Sequence, residues 1–275
     1  MDILSDLAQY RQWQQSQPPV VLVPTMGNLH AGHAALIEQA KTHQQPVVVS
    51  VFVNPTQFDD PADLSRYPRT FEDDCAYMRS LGVDAVFAPD VATMYPEGSD
   101  DSVLIDVGAI AQRFEGVNRP GHFAGVASVV ARLLLQIAPD RAVFGEKDYQ
   151  QCRVIEKLVT ALSLPVTLEF VPAVRESSGL ALSSRNRFLT TQARNTAPVL
   201  FQRLLRAAAQ IKSGAPVADV LTDNQKRLAQ VGFTVDYFAY VDAKTLQPAT
   251  ARLDDGRLLA AARLGDVRLL DNHPV

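Results

Sequence analysis

A chain of 275 residues with 47% hydrophobic and 20% charged residues has an ordinary globular composition, long enough for one large domain or two unequal ones. Its net charge of −4, with Lys and Arg scattered, argues against a nucleic-acid binder, and no run nears the ~18 apolar residues of a membrane span. The opening MDILSDLAQYRQW lacks a basic-then-apolar secretion pattern, so the cytoplasm is expected; Cys75 and Cys152, outside any CxxC or Cys/His cluster, are expected as core thiols.

Short runs rich in Val, Leu, Ile and Phe at Val20–Val23, Val47–Val53, Asp84–Ala88, Arg141–Phe144 and Val166–Val171 predict buried parallel strands. Helical spacing of apolar residues between them predicts helices over 33–43, 71–81, 125–137 and 149–162. Strand and helix in alternation imply an α/β fold, a doubly wound parallel sheet that binds ligands at the carboxyl ends of its strands. Beyond Pro172 the pattern changes. Helices are predicted over Thr190–Ser213 and Pro216–Val231, then strands at Thr234–Val241, Arg257–Arg263 and Val267–Leu270. The expected division is therefore a first domain over 1–172 and a small α+β domain over 173–275.

Pro24–His33, PTMGNLHAGH, follows a predicted strand and runs into a helix. Gly27 and Gly32 let the backbone approach a ligand, and a helix start offers N–H groups and a positive dipole end to an anion. His30 and His33 share a face if both lie in the first turn, where two imidazoles could donate to phosphate oxygens. An isolated HxxH could equally be two surface histidines. In Phe52–Phe58, FVNPTQF, the Asn54 and Gln57 amides suit a hydroxyl or carboxylate, though a plain turn is the alternative. The acids Glu72–Asp74 could hold magnesium, but they also open a helix, and offsetting its dipole is the favoured reading. Arg119–Gly125, RPGHFAG, sets His122 in a glycine-flanked loop that could also be a turn. Lys147 in GEKDYQQ follows a strand end and can reach a phosphate as a point charge; in LALSSRN two hydroxyls beside Arg185 suit phosphate clamping. Alone, each of the last two segments could be an ordinary solvated turn or loop.

In order along the chain, PTMGNLHAGH, FVNPTQF, DLSRYPRT, RPGHFAG, PDRAVFGEKDYQQ, VRESSGLALSSRN and ARLGDVRLLDN resemble the pantothenate synthetase family. That family belongs to the nucleotidyltransferases, whose HxGH motif is shared with class I aminoacyl-tRNA synthetases. The resemblance implies a Rossmann-like first domain, a smaller C-terminal lid and a homodimer. It also implies an ATP site formed by Met26, Gly27, Asn28, Leu29, His30, Ala31, Gly32 and His33, with Gly145, Glu146, Lys147, Asp148, Val174, Leu182, Ser183, Ser184 and Arg185. His33 falls at the family's proton donor; His30, Lys147 and Arg185 are the other implied catalytic groups. Gln57 and Gln151 match the pantoate contacts, and Gln57 also meets β-alanine. Magnesium is expected with the ATP phosphates. The family commonly has an acid before the loop glycine, where this chain has Ser178, a departure that bears on the conformation of that loop.

The implied reaction is two-step: pantoate attacks the α-phosphorus of ATP, and β-alanine then attacks the acyl adenylate, with lid closure excluding water. Gln57 and Gln151 argue against an adenylyltransferase that stops after AMP transfer. Both histidines, the lysine and the arginine argue against a non-catalytic nucleotide-binding regulator, and an acidic chain with no room for an anticodon-reading domain argues against a tRNA-charging enzyme.

Overall fold

The computed structural model describes residues 1–59 and 61–275. The chain divides into two compact units: Met1–Glu146 with Gln150–Pro172, and Lys147–Tyr149 with Ala173–Val275. Among the described residues no helix is long and apolar enough to cross a membrane.

The first unit is built on six parallel strands: β1 (Asp2–Leu4), β2 (Val21–Thr25), β3 (Val47–Val51), β4 (Ala85–Phe87), β5 (Arg141–Gly145) and β6 (Thr167–Val171), in the order β1-β4-β3-β2-β5-β6. Val21, Leu22, Val23 and Val47, Val48, Val49 are all buried, so successive residues on both faces are covered, as a sheet with helices on two sides requires. The chain moves outward from β2 through β3 to β4, then returns to β2's other side for β5 and β6. The strand order reverses at β2, where an open α/β sheet leaves a crevice at its carboxyl edge. Pairing reflects this. β2 pairs with β3 from Val21 to Thr25 but with β5 only at Val21 and Leu22. Pro24, which has no N–H to donate, lies beyond the last β5 pair.

The predicted helices occur at Ala31–Lys41, Phe71–Ser80, His122–Ile137 and Tyr149–Ala161. The edge strand β1 and the helix Leu7–Gln14 are not among the predicted elements. That helix is capped by Asp6, which accepts from Gln9 N, and is docked by the buried Tyr10, whose hydroxyl donates to Ile137 O at 2.9 Å. Burial raises the Tyr10 pKa, which keeps it a donor. Cys75 and Cys152 are buried and form no disulfide.

In the second unit an antiparallel sheet of β7 (Thr234–Asp242), β8 (Gly256–Leu264) and β9 (Val267–Pro274) packs with helices Val199–Lys212 and Val217–Gln230 around Leu204, Ile211, Leu228, Phe238 and Leu258. The single helix predicted over Thr190–Ser213 is two, Thr191–Thr196 and Val199–Lys212. Pro198 sits at the break, where it lacks the N–H that a continuous helix needs. Among the described residues β9 extends to Pro274, further than predicted.

Candidate active site

At the carboxyl end of β2 the chain makes a tight turn with Gly27 at φ 78° and Asn28 at φ 53°. The left-handed region costs glycine nothing and asparagine little. A side chain at Gly27 would also be crowded, since a Cβ there would lie 3.0 Å from Asp74 Oδ2 and 3.2 Å from Val51 Cγ1. Asp74 holds the turn. Its carboxylate accepts from Asn28 N at 2.8 Å, Leu29 N at 2.7 Å and the Thr70 hydroxyl at 3.1 Å, and the residue is 3% exposed. Glu72–Asp74 do lie in the first turn of their helix, but the Asp74 carboxylate serves these amides and not simply the helix dipole. Spacing contained a signal: Asp74 shares the buried face of Cys75 and Met78, where an acid needs a specific partner.

The two histidines close the turn's other side. His30 is the N-cap of the helix Ala31–Lys41, and its Nδ1 accepts from Gly32 N at 3.1 Å; His33 Nδ1 accepts in return from His30 N at 3.2 Å. This is a capping box with imidazoles in place of Ser and Glu. Two of the N–H groups expected to face an anion are therefore taken up by the histidines. The same bonds fix the ring chemistry. An Nδ1 that accepts a backbone N–H carries no proton, so each ring is protonated on Nε2 and is a neutral donor there. The ring centroids are 4.2 Å apart and tilted by 37°, which puts the pair on one face as expected.

After β3, Asn54 caps the short 3-10 turn Pro55–Gln57, and both Asn54 and Gln57 are buried. Asn54 Oδ1 accepts from the Tyr95 hydroxyl at 2.7 Å and the Thr56 hydroxyl at 3.0 Å, which leaves Nδ2 to donate to Gln57 Oε1 at 3.0 Å and Gly125 O at 3.2 Å. Burial raises the Tyr95 pKa, consistent with its role as donor. Gln57 Nε2 lies 3.2 Å from Met26 Sδ, so the structure brings Gln57 against the start of the histidine turn. Tyr95 is a member of this cluster that sequence reasoning missed; nothing local in MYPEG marks it. In GEKDYQQ the neighbouring glutamines differ: Gln150 is buried and donates to Ile110 O and Arg113 O, both at 2.8 Å, while Gln151 is half-buried.

In the second unit Lys147 Nζ lies 3.3 Å from Asp148 Oδ1, and the Lys147 carbonyl accepts from Asn272 Nδ2 at 3.1 Å. Tyr149 donates to Ala243 O at 3.0 Å with Arg257 stacked 3.6 Å over its ring. The loop to Arg185 is pinned at its base. Arg175 makes a bidentate pair with Asp271 at 2.6 and 2.7 Å, donates to Gly179 O and stacks 3.3 Å over Phe201. Leu182 N donates to Val174 O at 2.9 Å, Arg185 N to Ser183 Oγ at 3.3 Å, and the buried Asn186 amide to Ala181 O at 2.9 Å.

A parallel sheet whose switch point carries a glycine turn and two Nε2-protonated histidines is the framework of a nucleotide-dependent α/β enzyme. Residues 2–274 match the pantoate-β-alanine ligase family, and the chain belongs to it. It is 44% identical over 265 residues to the pantoate-β-alanine ligase of Schizosaccharomyces pombe, covering 96% of this chain and 94% of that one. It is 46% identical over 272 residues to the pantothenate synthetase of Idiomarina loihiensis, covering 99% and 97%. A crystal structure of pantothenate synthetase from Thermus thermophilus superposes with a TM-score of 0.93 at 45% identity, covering 99% of each chain. One of the Francisella tularensis pantoate-β-alanine ligase, complexed with β-γ ATP and β-alanine, gives 0.84 at 34% identity, covering 100% of this chain and 97% of that one.

Proposed function

We propose that the chain is an AMP-forming ligase that joins (R)-pantoate to β-alanine to make pantothenate, the pantoate being activated by ATP as pantoyl adenylate. The observation that carries this reading is the reciprocal histidine cap beside Gln57, in a chain of this family. A pantoate carboxylate oxygen attacks the α-phosphorus; the bond to the bridging oxygen breaks, and pyrophosphate leaves. The β-alanine amine then attacks the acyl carbon, AMP leaves with the electron pair of the C–O bond, and the nitrogen gives up its proton.

Such chemistry asks for alignment and for charge placed against the phosphates. His30 and His33 suit the second task as neutral Nε2–H donors, and Lys147 and Arg185 as cations. Gln57 and Gln151 are assigned to pantoate, with Gln57 also near β-alanine; Met26–His33, Gly145–Asp148, Val174 and Leu182–Arg185 are assigned to ATP. The ATP and β-alanine of the Francisella tularensis complex support these substrates. Among the described residues no three His, Cys, Asp or Glu side chains come together to hold a metal, and Asp74 is engaged by N–H and O–H donors. In this reading magnesium enters as part of the substrate MgATP, held by the nucleotide phosphates. The family reading also carries a cytoplasmic homodimer, joined through the first unit; light scattering that returned only the 30.1 kDa chain mass would overturn the dimer.

The deciding experiment is isotope exchange of pyrophosphate into ATP. Pantoate alone should support it and β-alanine alone should not. Exchange that required β-alanine would rule out the adenylate.

A further inference from the structure

The RPGHFAG segment contains a buried histidine for which the chemistry above has no use. His122 opens the helix His122–Ile137 and is 8% exposed. Its Nδ1 lies 2.8 Å from the carbonyl oxygen of Gln57, and its Nε2 lies 3.2 Å from Arg119 Nη1. A carbonyl only accepts and a guanidinium only donates. Both contacts are satisfied together by the neutral ring protonated on Nδ1: Nδ1–H donates to Gln57 O, and Nε2 accepts from Arg119. This is the opposite tautomer to that of His30 and His33. Arg119 Nη2–H donates to the same carbonyl at 3.2 Å, and the guanidinium is steadied by Asp59 at 3.5 Å.

The helix that carries His122 touches the Gln57 turn again one turn later. A Cβ at Gly125 would collide with the Thr56 carbonyl and lie 2.8 Å from Gln57 N, so glycine is what permits the approach. Gln57 is thus fixed at both ends. Its backbone carbonyl receives His122 and Arg119, and its side-chain Oε1 receives Asn54. With Oε1 occupied, the amide presents N–H to its surroundings and reads an acceptor oxygen.

We propose that His122 is a positioning residue for pantoate: by holding the Gln57 carbonyl it fixes the backbone from which the Gln57 amide donates to a pantoate oxygen. This rests on the assignment of Gln57 to pantoate made above. The test is pyrophosphate release with pantoate and MgATP varied separately, for His122→Leu, His122→Asn, Gln57→Ala and the His122→Leu/Gln57→Ala double variant. His122→Leu is expected to raise the pantoate KM about fivefold to twentyfold, the scale of one lost hydrogen bond, with the ATP KM changed less than about twofold. Asparagine places an N–H near the position of the histidine Nδ1–H, so His122→Asn should recover most of the loss. In the Gln57→Ala background His122→Leu should add less than about twofold, because its effect passes through Gln57.

An unchanged pantoate KM in His122→Leu, a His122→Asn enzyme as impaired as His122→Leu, or full additivity in the double variant overturns the proposal. A Gln57→Ala enzyme with an unaltered pantoate KM would overturn the substrate assignment itself, and the proposal with it. If His122→Leu does not fold, Arg119→Met removes the second donor to the same carbonyl. It should raise the pantoate KM in the same direction by a smaller factor, and no change there would also overturn the proposal.

Discussion

In the first unit, the turn that carries His30 and His33 is held by one buried carboxylate facing two backbone amides, and by caps between residues two and three apart. In the second, the loop leading to Ser183–Arg185 is held by an ion pair between residues 96 apart, stacked on an aromatic ring. Both devices place an acid against donors, but removing the acid leaves different things behind. At the turn it leaves orphaned N–H groups, which cannot move away because they belong to the main chain. At the loop it leaves an arginine on a flexible stem, 18% exposed, which can turn toward water, and a single main-chain donor, Asn272 N, at 2.7 Å. A loop whose acid faces mainly backbone donors should therefore be less forgiving than one whose acid faces mainly a side chain.

The sharpest way to break this comparison is Asp74→Ala. Two backbone donors and a hydroxyl lose their acceptor in a site where Asp74 is 3% exposed. Each unsatisfied buried group costs about 1–3 kcal/mol, so a loss of about 3–5 kcal/mol is expected in urea unfolding. Adenylation should fall as well, since the histidines are set by the same turn. Asp74→Asn keeps one acceptor oxygen and should lie between. A loss below about 1 kcal/mol for Asp74→Ala would mean that the turn holds itself.

Asp271→Ala tests the other arm and should cost less. Breaking a fully buried pair typically costs about 3–5 kcal/mol because a charge is stranded. Here only Asp271 is fully enclosed, at 4% side-chain exposure, and Arg175 retains Phe201 beneath it and the Gly179 carbonyl beside it. A loss of about 2–3 kcal/mol is expected, below the range for a fully buried pair. The double change Arg175→Met/Asp271→Leu should recover part of that loss, since no charge is then stranded. If Asp271→Ala proved costlier than Asp74→Ala, the distinction between backbone and side-chain anchoring would fail.

The same contrast explains what could be foreseen from the chain. The histidine turn was legible because its parts are local: two glycines, two histidines and a helix start lie within ten residues. The strands of the first sheet were legible because burial on both faces produces unbroken apolar runs such as Val20–Val23. β1 was missed because three residues carry no usable period. The break at Pro198 was missed because apolar spacing continues across it. No spacing rule links Arg175 to Asp271 or Tyr95 to Asn54, since both pairs are created by the fold. Among the site residues, Asn54 and Gln57 could be picked as polar residues closing a strand. Asp74 reads locally as an ordinary helix-start acid, and only its spacing on the face of Cys75 and Met78 marks it as facing inward.

The smallest effect is expected at Ser178, which stands where the family commonly has an acid. The hydroxyl accepts from Leu180 N at 3.3 Å, a long bond that mimics an Asx turn weakly. The turn is otherwise closed by the main chain: Gly179 N donates to Glu176 O at 2.8 Å, Glu176 N to Leu180 O at 2.9 Å, and Arg175 pairs with Ala181. Gly179, at φ 94°, supplies the left-handed residue that closure needs. With geometry fixed by these groups, Ser178→Ala should cost no more than about 0.5 kcal/mol in a thermal or urea melt, the low end for one exchanged hydrogen bond. Ser178→Asp offers a charged and stronger acceptor to the same amide and should be neutral or stabilising by a similar amount. The two variants together separate side-chain from main-chain control of this loop. If Ser178→Ala lost as much as Asp271→Ala, the hydroxyl would be setting the turn that leads to Arg185, and the loop would be anchored at its tip as well as at its base.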